Sequence, residues 1–187
     1  MINFDFFTPT KILFGAGRES EVGKQIVAFG GHKVMIVYGK KGGHVESSGL
    51  LERVHQSLNE AGLSYIDFSG VVPNPRLSLV KEGIRIGREE GVDFLLPIGG
   101  GSVIDTAKGI GYGIANNFEM EDLLYGRVKT DKNLPIGVIL TIAAAGSEMS
   151  SSMVLTIEDG MMKRSYGHDC SRPKFAIMNP KLTYSLP

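Results

Sequence analysis

Apolar and polar positions switch between two periods along this chain. Short β-branched or aromatic runs at "KVMIVYG" (33–39), which is continuously apolar, "SYIDFSGV" (64–71), "DFLLPIG" (93–99), "LPIGVILTI" (134–142) and "PKFAIMNP" (173–180) read as short strands. Runs without alternation suit strands covered on both faces, as parallel sheets require. Between them lie segments with helical spacing. "RESEVGKQIVAFG" (18–30) puts Val22, Ile26 and Phe29 on one face, and "GLLERVHQSLNEAG" (49–62) does the same with Leu50, Leu51, Val54, Leu58 and Ala61. "RLSLVKEGIRIGREEG" (76–91) turns Leu77, Val80, Ile84 and Ile86 or Gly87 inward, and "SVIDTAKGIGYGIAN" (102–116) is a further helix. "SSSMVLTI" (150–157) predicts one more strand, and "NFDFFTPTKILFG" (3–15) a pair of short strands broken at Pro9, an N-terminal β-hairpin. Strand–helix alternation with short connections predicts parallel neighbours joined by right-handed crossovers. The expected fold is an α/β, Rossmann-like, doubly wound and mostly parallel sheet carrying that hairpin, with 1–187 as one domain.

Length and composition narrow the setting. The chain has 187 residues, 42% of them hydrophobic, which is enough for a sizeable core. Twenty basic and twenty acidic side chains cancel, which argues against nucleic acid as a partner. No run approaches the ~20 apolar residues of a membrane span, and no signal-like segment opens the chain, so a cytoplasmic setting is expected. The single cysteine, Cys170, excludes an intrachain disulfide and fits a reducing compartment. His32, His44, His55 and His168 form no metal-ligand spacing.

In an open α/β sheet, ligands sit beyond the carboxyl ends of the strands. Three loops are expected there: "YGKKGGHVESSG", "GGGS" and "TIAAAGSEMSSS". Gly100 and Gly101 let an anion approach their amides. Ser102 is placed as an N-cap whose hydroxyl can also donate to a phosphate, and the helix dipole favours negative charge. The plain alternative is a sharp strand-to-helix turn, since neither a Walker A pattern nor G-x-G-x-x-G is present. Asp105 and Lys108, three residues apart, share a helical face. They read either as cleft-facing or as ordinary helix surface charges.

The ordered set "VVPNPRL", "GGGSVIDTAK", "AGSEMS" and "PKFAIMNPKLTYSLP" resembles the N-terminal half of the iron-containing (group III) alcohol dehydrogenase family, closest to its bacterial butanol- or aldehyde-reducing branch. The resemblance runs from "FDFFTPTKILFGAG" to the last residue. It implies a dinucleotide-binding domain, followed in the family by an all-helical metal domain, and hydride transfer between NAD(P)H and a primary alcohol or aldehyde. The cofactor contacts it implies are Gly39 and Asn74 on flanking loops, and Gly100, Gly101 and Ser102 at the pyrophosphate. Thr141, Ile142, Ala145 and Ser150 would line the nicotinamide half, Lys163 would lie near the ribose, and Asp105 would face the catalytic end of the cleft. Two departures stand out: Ala145 where the family often has threonine, and Asn179-Pro180 where Asp-Pro is usual. The family's metal ligands lie in the helical domain, so Fe2+ or Zn2+ is expected only with that domain and no metal ligand is assigned here.

Cofactor choice follows from charge. An acidic residue after the ribose-contacting strand repels a 2′-phosphate. Gly39 followed by Lys40 and Lys41 favours NADP(H) over NAD(H). Two other readings stay open: a non-catalytic nucleotide-binding remnant, or a homodimer formed through N-terminal strands rich in Phe4, Phe6 and Phe7. A sugar-phosphate cyclase-like reading shares the domain plan but not the glycine-loop pattern.

Overall fold

The computed structural model of the chain describes residue 3 and residues 7–184. Its frame is a six-stranded sheet. The strands are β1 (Lys11–Phe14), β2 (Lys33–Tyr38), β3 (Ser64–Phe68), β4 (Phe94–Gly99), β5 (Gly137–Leu140) and β8 (Phe175–Met178), counting the hairpin strands β6 (Ser152–Ile157) and β7 (Met162–Gly167) between them. Their order is β1-β8-β5-β4-β2-β3, and every neighbouring pair is parallel. The helices are α1 (Val22–Ala28), α2 (His44–Ser47), α3 (Leu50–Glu60), α4 (Leu77–Glu89), α5 (Gly101–Ala115) and α6 (Met120–Leu124).

The continuous apolar run of β2 behaves as its pattern dictates, whereas β3, at the sheet edge, is buried only at Phe68. Alternate residues of β2 serve opposite layers: Val34, Ile36 and Tyr38 pack with α1 and α3, while Met35 and Val37 pack with α4 and α5. The chain therefore has two apolar layers, one on each face of the sheet. Phe29, assigned inward by periodicity, is 38% exposed because α1 ends one residue before it. On α4, Gly87 takes the inward position and Ile86 is half-buried.

Two further features concern the N-terminal and central segments. The first strand of the expected N-terminal hairpin falls on residues 4–6, which lie outside the described residues. Its second strand, β1, runs parallel beside β8, with Lys11 opposite Phe175 and Phe14 opposite Met178. An antiparallel pair that the sequence pattern does not announce lies further along the chain. β6 turns through Gly160 and returns as β7, a strand whose "MKRSYG" is too polar to show an apolar period. This hairpin stands off the main sheet, against α5 and α4, where the N–H of Thr156 donates to Pro75 O at 2.8 Å.

The topology fixes where a ligand belongs. The connection from β2 leaves toward β3, and the one from β4 leaves the other way, toward β5. β2 and β4 are neighbours, so a crevice opens between their carboxyl ends, the usual ligand position in such sheets.

Candidate functional site

The loop after β4 occupies one wall of that crevice. Gly100 is extended (φ −96°, ψ −165°) and is the N-cap of α5. Its carbonyl accepts from Val103 and Ile104 N–H at 3.0 and 3.1 Å. Ser102 was expected at the cap, but because Gly100 takes the extended turn, Ser102 is already the second residue of the helix. The N–H groups of Gly101 and Ser102 come too early for an intrahelical acceptor and donate to no other among the described residues. They point the positive end of a 15-residue helix at the crevice.

The Thr141–Ser151 loop leans on this wall. Thr141 N–H donates to Gly99 O at 3.2 Å. A Cβ at Gly100 would stand 2.6 Å from Ile142 Cγ2, and one at Gly101 would stand 3.3 Å from Ser147 Oγ. A side chain at the first position would displace the Ile142 methyl, and glycine at the second leaves the amide face clear. Ile142 is 41% exposed and borders an apolar recess of about 220 Å³ with Phe14, Leu140, Met178 and Pro180. Ala145 is exposed, while the Ser150 hydroxyl accepts from Lys108 Nζ at 3.1 Å.

On the other side of the crevice, Gly39 follows β2, and its carbonyl accepts from Gly70 N–H at 2.8 Å. Asn74 stands between two prolines with φ 59°, a left-handed conformation that asparagine tolerates better than most residues. Sequence reasoning missed what shapes the β2 loop. The buried Tyr38 hydroxyl donates to Glu46 Oε1 (3.0 Å), and Gly42 N–H donates to Glu46 Oε2 (2.8 Å). Burial, then the Glu46 carboxylate, pushes the Tyr38 hydroxyl up to about 12. Both Glu46 oxygens are thereby engaged, while Lys40 and Lys41 stay exposed. The structure brings Gly100, Gly101, Ser102, Thr141 and Ile142 together and sets Gly39 and Asn74 on the facing loops. Lys163 stands apart, exposed on β7 opposite Thr156.

Lys108 fits neither of its two readings. It is not cleft-facing but fully buried, and its ammonium donates to the carbonyls of Ser147 (2.9 Å), Ser150 (2.8 Å) and Ser152 (2.8 Å). Asp105 is half-buried; Oδ2 accepts from Val154 N–H at 3.0 Å, and Oδ1 is buried without a partner among the described residues. Burial raises the Asp105 carboxyl above the usual range, against the Val154 N–H and the Lys108 charge. Burial also pulls the Lys108 ammonium down to about 8; Asp105 and Glu148 oppose this and Arg172 reinforces it. An unfolded lysine titrates near 10.5. The unfolded chain thus holds more protons between those two values, so this site's contribution to stability is smallest below about pH 8 and grows toward pH 10.5. Urea midpoints across that range should rise with pH for the wild type relative to Lys108→Met; parallel profiles would contradict the assignment.

The histidines do not assemble a metal centre. His32 pairs with Asp93 and His55 with Asp67, His168 Nδ1 accepts from Cys170 N–H, and His44 lies on α2. Among the described residues, no group of three histidine, cysteine or acidic side chains can hold a metal ion. The residues present therefore do not fit a metal, and no chemical step is routed through one.

The parallel sheet, with its switch-point crevice and glycine-lined helix N-terminus, defines a Rossmann-like α/β fold. The chain belongs to the iron-containing alcohol dehydrogenase family, whose model matches residues 9–180. It is 41% identical over its whole length to the NADH-dependent butanol dehydrogenase A of Clostridium acetobutylicum, covering 47% of that protein. It is 36% identical to the NADPH-dependent aldehyde reductase YqhD of Escherichia coli, covering 48% of it. The crystal structure of an NADH-dependent butanol dehydrogenase A from Thermotoga maritima superposes with a TM-score of 0.95 at 37% identity, over 99% of this chain and 46% of that one. The chain thus spans about half the length of the curated relatives it matches.

Proposed function

We propose that residues 1–187 form the dinucleotide-binding domain of an NAD(P)-dependent alcohol dehydrogenase or aldehyde reductase acting on a small primary alcohol or aldehyde. One observation carries the reading: the free amides of Gly101 and Ser102, at the N-terminus of α5, open onto the switch point between β2 and β4. Two N–H donors, a helix dipole and no side chain over them suit a pyrophosphate. Ile142 and the apolar recess beside it suit the flat nicotinamide ring, with Thr141, Ala145 and Ser150 on the same loop. Gly39 and Asn74 would flank the adenosine end, with Lys163 farther out. When bound, the nicotinamide accepts or supplies the hydride. The chain's own contribution is to hold the two phosphates and to fix the ring against the Thr141–Ser151 loop. Asp105 belongs to this reading as a residue behind that loop.

NADP(H) is the favoured cofactor. Lys40 and Lys41 are exposed beside the β2 terminus, and Glu46, the nearest acid on that loop, has both oxygens occupied. Reversing both charges (Lys40→Glu, Lys41→Glu) should lower the preference for NADPH over NADH about tenfold at low salt, the size expected of exposed charge pairs. An unchanged ratio of the two dissociation constants would count against the lysines. Self-association is part of the proposal as well, because among the described residues β1 is an edge strand with Ile12 and Phe14 exposed. The balanced charge supports a small molecule rather than nucleic acid as ligand, and no described helix is long and apolar enough to cross a membrane. Calorimetric titration with NADPH and NADH tests the reading: saturable binding is expected, and none up to millimolar cofactor would sink it.

A further inference from the structure

The segment 147–152 has an odd backbone. It runs from the loop after β5 into Ser152, the first residue of β6, and its carbonyls are taken from outside the loop. Lys108 Nζ holds those of Ser147, Ser150 and Ser152. Arg172 Nη1 donates to Met149 O at 2.9 Å, and Ser171 Oγ to Ser151 O at 2.7 Å. Where the loop leaves as β6, Asp105 accepts from Val154 N–H. Asp105 and Lys108 sit one turn apart on α5, the helix whose first amides form the glycine wall. One rigid helix therefore carries both the anion-facing amides and the two groups that locate the opposing loop.

We propose that Lys108, with Asp105, is a positioning residue that sets the distance between the glycine wall and the Thr141–Ser151 loop, and so the fit of the cofactor's nicotinamide half. The inference rests on the cofactor reading above. The spacing it controls is tight: Ser147, whose carbonyl Lys108 holds, has its hydroxyl 3.3 Å from a Cβ position at Gly101. The three donors of the ammonium are shared among four oxygens, the three carbonyls and the Ser150 hydroxyl, and no other side chain at this position supplies three donors from a single point. The three carbonyls all lie in the second half of the loop, from Ser147 to the start of β6, so one ammonium fixes where that half stands against α5. The charge is also more costly to bury than a methionine of similar length.

The test separates the two halves of the cofactor. Adenosine 2′,5′-bisphosphate spans only the adenosine end, whereas NADPH reaches the loop. Lys108→Met should weaken NADPH binding at least tenfold while leaving bisphosphate binding within about twofold. A folded variant that binds NADPH as the wild type does would overturn the proposal. So would equal loss of both ligands, which marks general damage to the domain. If Lys108→Met does not fold, Asp105→Ala serves instead. It frees the Val154 end of the clamp and removes a half-buried carboxylate, so it should give the same selective loss at smaller size; an equal or absent loss overturns the proposal in the same way. If the wild type binds the bisphosphate but not NADPH, or binds neither, the cofactor reading fails rather than the clamp.

Discussion

Gly101→Asp is expected to abolish useful cofactor binding while leaving the fold intact. Position 101 is the first residue of α5, where φ is not left-handed and any L residue fits the backbone. Its Cβ would meet only Ser147 Oγ, at 3.3 Å, a contact that relaxes by a few tenths of an ångström. Replacing glycine at a helix start removes backbone entropy from the unfolded chain. An acidic side chain there also favours the helix dipole by about 0.3–1 kcal/mol. Stability should therefore hold or rise slightly. The same carboxylate sits where two phosphate charges are proposed to rest. Like charges a few ångströms apart in a partly screened cleft repel by about 3 kcal/mol, roughly a hundredfold in Kd. Thermal melts beside cofactor titrations separate the two effects. A variant that binds NADPH normally would remove the glycine wall from the site.

Gly137→Ala should do the reverse. Gly137 lies in β5 directly opposite Phe175 of β8. A Cβ there would stand 2.1 Å from Phe175 Cζ and 2.4 Å from Cε1, inside the ring itself. Phe175 is fully buried, with the rings of Phe29 and Phe94 at 6.0 and 6.2 Å, so it has nowhere to retreat. Overpacking of this kind costs about 3 kcal/mol. In a domain of this size that lowers Tm by roughly 6–12 °C. The variant should still bind cofactor below its transition, because β5 meets the site only through its carboxyl end. A melting temperature within about a degree of the wild type would show that the β5–β8 pair is looser than its packing indicates.

These two glycines show what the sequence can and cannot disclose. The apolar runs of β2 and β4 and the helical stripes of α3 and α4 are legible because burial on one or both faces imposes a period. The glycine loop is legible because a strand ending in three glycines before a helix has few structural uses. The partner of Phe175 is not, since Gly137 reads as a gap in an apolar run, and only the β5–β8 register explains it. β7 hides for another reason: an exposed hairpin strand buries too little to leave a pattern. Lys108 is the clearest case. Three-residue spacing from Asp105 is equally compatible with a cleft pair and with surface charges. The actual arrangement, an ammonium buried under a loop forty residues downstream, depends on contacts that no local period encodes. Glu46 likewise gives no signal beyond standing four residues after Gly42, although it shapes the loop that presents Lys40 and Lys41.

The central claim is that the amides at the start of α5 bind the phosphates of a nicotinamide dinucleotide. The most direct measurement follows the backbone amide resonances of Gly100, Gly101 and Ser102 in an isotope-labelled chain as NADPH is added. Those three should shift with one saturating curve, and the same curve should vanish in Gly101→Asp. Saturable binding that leaves these amides unmoved, or shifts that persist unchanged in Gly101→Asp, would contradict the account.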